Sequence, residues 1–171
     1  MRTIFLTLFL LILSGCWAPS PDKAKNKAQV VESMIEALGK QHPETPGLNA
    51  QELLAMLDEK SSLILVDVRT PHELKVSKIP GAHSKESYGQ LTTQSNQIIV
   101  VYDTFGYRAI EWIQKQKEEG VKNLLYLQGG VIAWAHANGS FVDQDNKITP
   151  KVHVLNEAWA LLPDNYEAIS E

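Results

Sequence analysis

The spacing of apolar residues changes along this chain, and each change marks an element. Ile4 to Leu13 is an apolar run broken only by Thr7 and preceded by Arg2. It is too short to span a hydrocarbon core, which takes about 20 helical residues, but it fits the apolar middle of a secretory signal. Ala18 to Lys27, with Pro19, Pro21 and several lysines, has no apolar period and reads as a tether. Val30, Val31, Met34, Ile35 and Leu38 then fall on one face of a helix ending near Gly39. That helix either covers an edge of the domain or offers a face to a partner. Asn49 and Glu52 form a capping pair ahead of Leu53, Leu54 and Leu57, which stripe a short helix. Leu63 to Val66, Ile98 to Tyr102 and Leu124 to Leu127 are continuous aliphatic runs, as expected of parallel strands covered on both faces. Between the last two, Arg108 to Glu119 predicts a helix with Ala109, Trp112 and Ile113 inward, closed by Gly120. Alternating strands and helices imply an α/β fold with helices on both faces of a parallel sheet. Ligands in such sheets gather at the carboxyl ends of the strands, here the turns after Val66, Tyr102 and Leu127.

Composition narrows the class. The chain has 171 residues, 44% apolar and 21% charged, with a formal charge of −4, which suits one globular domain with appendages. Its single cysteine excludes an internal disulfide. A mildly acidic balance without a basic cluster argues against nucleic acid as a partner. The histidines, His42, His72, His83, His136 and His153, show no metal-ligand spacing, and no metal or cofactor is expected. His72 and His83 follow the Leu63 to Val66 run closely enough to approach the site at its turn. Gly129-Gly130 lacks the further glycine or lysine of a phosphate loop. Asp143 to Lys147 is a polar turn, and Pro150 to Glu171 carries Val152, Val154, Leu155, Trp159, Leu161 and Leu162. So apolar a tail is expected to dock on the domain or to form a surface that a partner completes.

Leu13-Ser14-Gly15-Cys16 places two small residues directly before the only cysteine. This resembles the lipobox of bacterial lipoproteins, which implies cleavage before Cys16, acylation of Cys16 and attachment to a membrane in the cell envelope. Several acyl chains hold far more firmly than one. The resemblance also implies a periplasm-facing site, and Trp17 after the cysteine favours the outer membrane if the host is Gram-negative. The alternative is an ordinary secretion signal with Cys16 incidental. The expected division is a signal over 1–15, a tether over 16–28, a helix and linker over 29–46, a domain over 47–142 and an extension over 143–171.

Four further segments occur in a recognisable series: Leu65-Val66-Asp67-Val68-Arg69-Thr70-Pro71-His72-Glu73-Leu74, then Ile79-Pro80-Gly81-Ala82, then Val100-Val101-Tyr102 leading to Gly106 and Arg108, then Gly129-Gly130 with Ala133-Trp134. Together they resemble a rhodanese domain over roughly Leu48 to Val142. The resemblance implies a three-layer α/β/α fold with a central parallel sheet. It also implies an active loop that opens with a cysteine, closes with an arginine and stabilises a persulfide through its amides and the following helix N-terminus. Here the loop is Asp103, Thr104, Phe105, Gly106, Tyr107 and Arg108. Length, glycine and arginine match; Asp103 stands where the cysteine belongs, and Ser77-Lys78 replaces a Gly-His pair before Ile79.

A carboxylate oxygen cannot carry a persulfide, so the expected function is a catalytically inactive, lipid-anchored binding or scaffold module with an envelope protein as partner. The alternatives are a sulfurtransferase that borrows a partner's thiol, and a hydrolase with Asp103 as nucleophile. The latter would want Mg²⁺ and a second acid, and none is evident near the loop. Asp103 is expected to fill the amide nest from within, with its pKa lowered. Arg108 either faces an anion or pairs bidentately with Asp103, and loss of the nucleophile favours the pairing. Asp67, Arg69 and Glu73 resemble the family's ion-pair network behind the loop and are read as scaffold. Phe105 and Tyr107 either pack beneath the loop or serve as anchors for a partner.

Overall fold

The computed structural model describes residues 22–59, 61–91 and 97–170. The expected signal, Cys16 and the tether as far as residue 21 lie outside them. Strands β1 (Gly47–Leu48), β2 (Leu63–Asp67), β3 (His83–Ser84), β4 (Ile98–Tyr102) and β5 (Leu124–Leu127) form one sheet in the order β1-β5-β4-β2-β3. Every pairing is parallel, and Asp67 at the end of β2 lies opposite Tyr102 at the end of β4. That register places the turns after β2 and β4 side by side.

Helices cover both faces, giving the expected three layers. Helix α1 (Asp22–Gln41), α2 (Ala50–Asp58) and α6 (Gly130–His136) pack together on one side. On the other lie α4 (Lys85–Tyr88) and α5 (Tyr107–Glu118), joined by the edge-to-face rings of Tyr88 and Trp112. Helix α3 (Pro71–Val76) sits at the carboxyl end of β2. The Asn49–Glu52 pair is a complete capping box, and Thr70 and Glu73 form a second one at the start of α3. Each satisfies two helix-end donors that would otherwise lack partners.

Helix α1 begins at Asp22, within the stretch that its sequence pattern assigns to a tether, and continues past Gly39 to Gln41. Periodicity missed the first turns because tertiary bonds hold them: Lys27 Nζ donates to the Leu162 carbonyl at 3.0 Å and reaches Asp164 Oδ1 at 3.2 Å. The helix lies over α6 with Val31 and Leu38 in the core, so it covers a face of the sheet layer rather than an edge. The tail docks. Strands β6 (Lys151–His153) and β7 (Glu167–Ile169) pair in parallel, Val152, Val154 and Leu162 are buried, and β6 packs on α3. Between the strands a 3₁₀ turn, Glu157–Trp159, crosses the molecule toward the turn after β4. Among the described residues no helix is long and apolar enough to cross a membrane.

Candidate functional site

The loop from Asp103 to Gly106 joins the buried end of β4 to the first turn of α5. Its backbone is fastened by α6: Val131 N–H donates to the Asp103 carbonyl at 3.0 Å and Ile132 N–H to the Thr104 carbonyl at 3.4 Å. This approach explains the paired glycines. Gly130 has φ of +51°, and a Cβ there would lie 2.3 Å from the Asp103 carbonyl oxygen, so no other residue allows α6 to meet the loop. Gly106 has φ of +136°, again a glycine conformation, and its Cα faces Leu38 of α1 and Tyr126 of β5. Loop shape and residue type therefore agree at both places.

The Asp103 side chain is buried, at 2% exposure. Its Oδ2 accepts the Arg108 N–H at 3.2 Å and the Arg108 Nε–H at 3.3 Å, while Oδ1 has no hydrogen-bond partner. Two expectations are corrected here. The carboxylate fills the expected nest of amides only in part: one amide, Arg108 N–H, and the edge of a guanidinium bond to Oδ2, the Gly106 amide contributes less, and Oδ1 is left without a partner. Its pKa is also raised rather than lowered: burial penalises the charge, and the Arg108 charge, the Arg108 bonds and the Gly106 amide offset this only in part.

The bidentate partner of Arg108 is Glu73, not Asp103. Arg108 Nη1 donates to Glu73 Oε2 and Nη2 to Glu73 Oε1, each at 2.8 Å, and Nη2 also donates to Thr104 Oγ1 at 3.0 Å. Thr104 Oγ1 donates to Glu73 Oε1 at 3.3 Å. Glu73 further accepts the Thr70 N–H and hydroxyl at 2.9 and 2.8 Å. Burial presses the Glu73 pKa upward, but the Arg108 and Thr70 bonds outweigh it and bring it down to about 2. Glu73 wins Arg108 because its carboxylate faces the guanidinium edge on, whereas Asp103 can present only one oxygen to Nε. A second acid thus does reach the loop, contrary to the sequence expectation, and it is occupied by Arg108.

Asp67 and Arg69 form a separate pair deeper in the fold. Arg69 Nε and Nη2 donate to the Asp67 carboxylate at 3.0 and 2.7 Å, and Nη2 also donates to the Ser77 carbonyl at 2.6 Å. Both side chains are fully buried, and the Arg69 guanidinium lies 5.8 Å from the centre of the Tyr102 ring. Of the aromatic residues, Phe105 is buried whereas Tyr107 is 45% exposed. Their rings stack at 6.1 Å, and Trp159 of the tail packs on both, at 5.4 Å from Phe105 and 6.4 Å from Tyr107.

The histidine that comes closest to the network is His153 of β6. It lies 4.0 Å from Glu73 Oε1 and edge-on to His72 at 5.4 Å. Nothing in the sequence signalled it, because it arrives with the tail. His83 lies in β3 at the edge of the sheet. Among the described residues no group of three or more His, Cys, Asp or Glu is placed to hold a metal ion. Chemically the loop can hold an acid against Arg108, but it presents no thiol and its polar edge is already engaged.

Comparison with known proteins agrees with this geometry. The family model described as "Rhodanese-like domain" matches residues 49–137. The "Probable adenylyltransferase/sulfurtransferase MoeZ" of Mycobacterium tuberculosis is 32% identical over 96 residues, which is 52% of this chain and 24% of that protein. A protein named "Sulfurtransferase" from Allochromatium vinosum is 28% identical over 93 residues, covering 52% of this chain and 86% of its own length. This chain thus matches about a quarter of the first relative and most of the second. Among solved structures, a thiosulfate sulfurtransferase from Pseudomonas aeruginosa superposes with a TM-score of 0.55 at 24% identity, over 72% of this chain and 23% of the other. A rhodanese-like domain from Anabaena superposes with a TM-score of 0.52 at 20% identity, over 57% and 79%. At those identities the structural likeness shows the fold alone.

Proposed function

The chain belongs to the rhodanese-like domain family, and from that premise we propose that it is a catalytically silent member, held at the bacterial cell envelope through lipid on Cys16 and working as a binding or scaffold module. The observation that carries this reading is Asp103. Sulfur transfer in this fold needs a thiolate at the first loop position to attack sulfane sulfur and hold it as a persulfide. Asp103 has no sulfur, it is buried, and the only cysteine of the chain is Cys16. Arg108, the loop cation that would meet an anionic donor, is committed to Glu73, Thr104 and Asp103.

The relatives named as sulfurtransferases support a sulfurtransferase ancestry for the fold and leave open a reaction on a partner's thiol. An Asp103-based hydrolase is less well supported, because Arg108 occupies Glu73, the acid that would share a Mg²⁺ ion. The purified protein is expected to form no thiocyanate from thiosulfate and cyanide. Turnover that disappears in Asp103→Ala would overturn the proposal, as would Mg²⁺-dependent phosphate ester hydrolysis lost in Asp103→Asn. The anchor is tested separately: Cys16→Ser is expected to move the protein from the membrane fraction to the soluble fraction.

A further inference from the structure

Two segments outside the family match, α1 and the tail, meet over the candidate site and touch each other. From α1, Leu38 lies against Gly106 and Ile35 against Gly129. From the tail, Trp159 covers Phe105 and Tyr107. The two are joined at Lys27, whose ammonium donates to the Leu162 carbonyl at 3.0 Å and pairs with Asp164 at 3.2 Å. Leu162 itself is buried, so the carbonyl that Lys27 grips belongs to a residue seated in the core.

Ahead of Leu162 the segment that carries Trp159 is held less firmly, and residues 155–158 are exposed. Among the described residues, the backbone hydrogen bonds recorded within 156–166 are local ones, such as Trp159 N–H to the Asn156 carbonyl and Tyr166 N–H to the Pro163 carbonyl. Its links to the rest of the fold run through side chains: Leu162 in the core, the Trp159 ring, the Lys27 contacts, His136 Nε2 at 2.7 Å from the Leu161 carbonyl, and Tyr166, whose ring lies edge-on to Phe141 at 5.7 Å and whose hydroxyl donates to the Gly139 carbonyl at 3.0 Å. A segment without ladder bonds to its support opens at lower free energy than the strands beneath it. By contrast, strands β6 and β7 on either side of it are paired.

We propose that residues 155–161 form a lid over the Asp103–Arg108 loop, hinged at the buried Leu162, and that Lys27, which holds the Leu162 carbonyl, is the latch through which α1 keeps the lid closed. Opening would swing Trp159 away from Phe105 and Tyr107 and uncover their aromatic face. Helix α1 is also the described element nearest Cys16 in sequence, so an event at the amino end of the domain reaches the lid through the Lys27 side chain. The coupling does not depend on whether the loop binds a partner or retains any chemistry.

Hydrogen exchange measured by mass spectrometry on the full chain in detergent tests it. Lys27→Met is expected to raise exchange in peptides covering 155–161 and 103–108 by roughly tenfold, the effect of losing one hydrogen bond to a charged group. Peptides covering β2 and β4 should be unchanged. Trp159→Leu is expected to raise exchange in 103–108 while leaving α1 as in wild type. Faster exchange confined to α1 in Lys27→Met, or an increase spread evenly over the whole chain, would overturn the latch. A loop indifferent to Trp159→Leu would overturn the lid.

Discussion

Two arginine–carboxylate groups lie close together in this molecule and do different work. Asp67 and Arg69 are wholly buried and hold each other, with the Ser77 carbonyl as a further acceptor. Arg108 is 30% exposed on its side chain and divides its donors among Glu73, Thr104 and Asp103. The first pair is closed, so that removing one partner strands a charge in the core. The second has a principal partner, Glu73, and a minor one, Asp103. The main bond of the loop arginine therefore goes to Glu73 and does not depend on the residue at position 103.

The contrast is sharpened most by breaking the deep pair. Arg69→Met leaves the Asp67 carboxylate without its partner and is expected to cost about 3–5 kcal/mol of unfolding free energy, read as a drop in the urea midpoint at constant slope. The loop network should cost less. Glu73→Gln removes the bidentate acceptor of a partly solvated arginine and is expected to cost about 2 kcal/mol at neutral pH. Glu73 titrates below its ordinary 4.5, at about 2. Its contribution is therefore present above pH 4.5 and lost as pH falls toward 2, and the gap between wild type and Glu73→Gln should close over that window.

The smallest effect belongs to Asp103→Asn, expected to change stability by less than about 1 kcal/mol at neutral pH and in the stabilising direction. Asp103 titrates above its ordinary 3.8, so its sign is opposite to that of Glu73. Its contribution is full below 3.8 and is lost as pH rises through the raised value. Unfolding midpoints followed across the acid range should show that loss in wild type and not in Asp103→Asn. If Asp103→Asn proved more damaging than Glu73→Gln, the ranking of the two carboxylates would be reversed.

The sheet was readable from the sequence because each central strand is a continuous aliphatic run, and burial on both faces leaves no room for polar positions. The cap at Asn49 was readable because its side chain reaches only three residues ahead. The residues of the loop and the contact between Asp103 and Arg108 were identifiable, but the principal partner of Arg108 was not. Glu73 and Arg108 are 35 positions apart, and they meet because β2 and β4 are neighbours in register, which sets α3 and the start of α5 side by side. No local pattern carries that information.

Local spacing thus established the strands, the helical stripes, the glycines at 106, 129 and 130, and a carboxylate rather than a thiol at position 103. Those properties belong to near neighbours along the chain. Tertiary structure alone settled that Asp103 is buried with a raised pKa, that Glu73 takes Arg108, that α1 extends back to Asp22, and that Trp159 closes over Phe105. Each of these depends on the field and packing of groups distant in sequence, and the energy of a buried charge is set by what surrounds it in space.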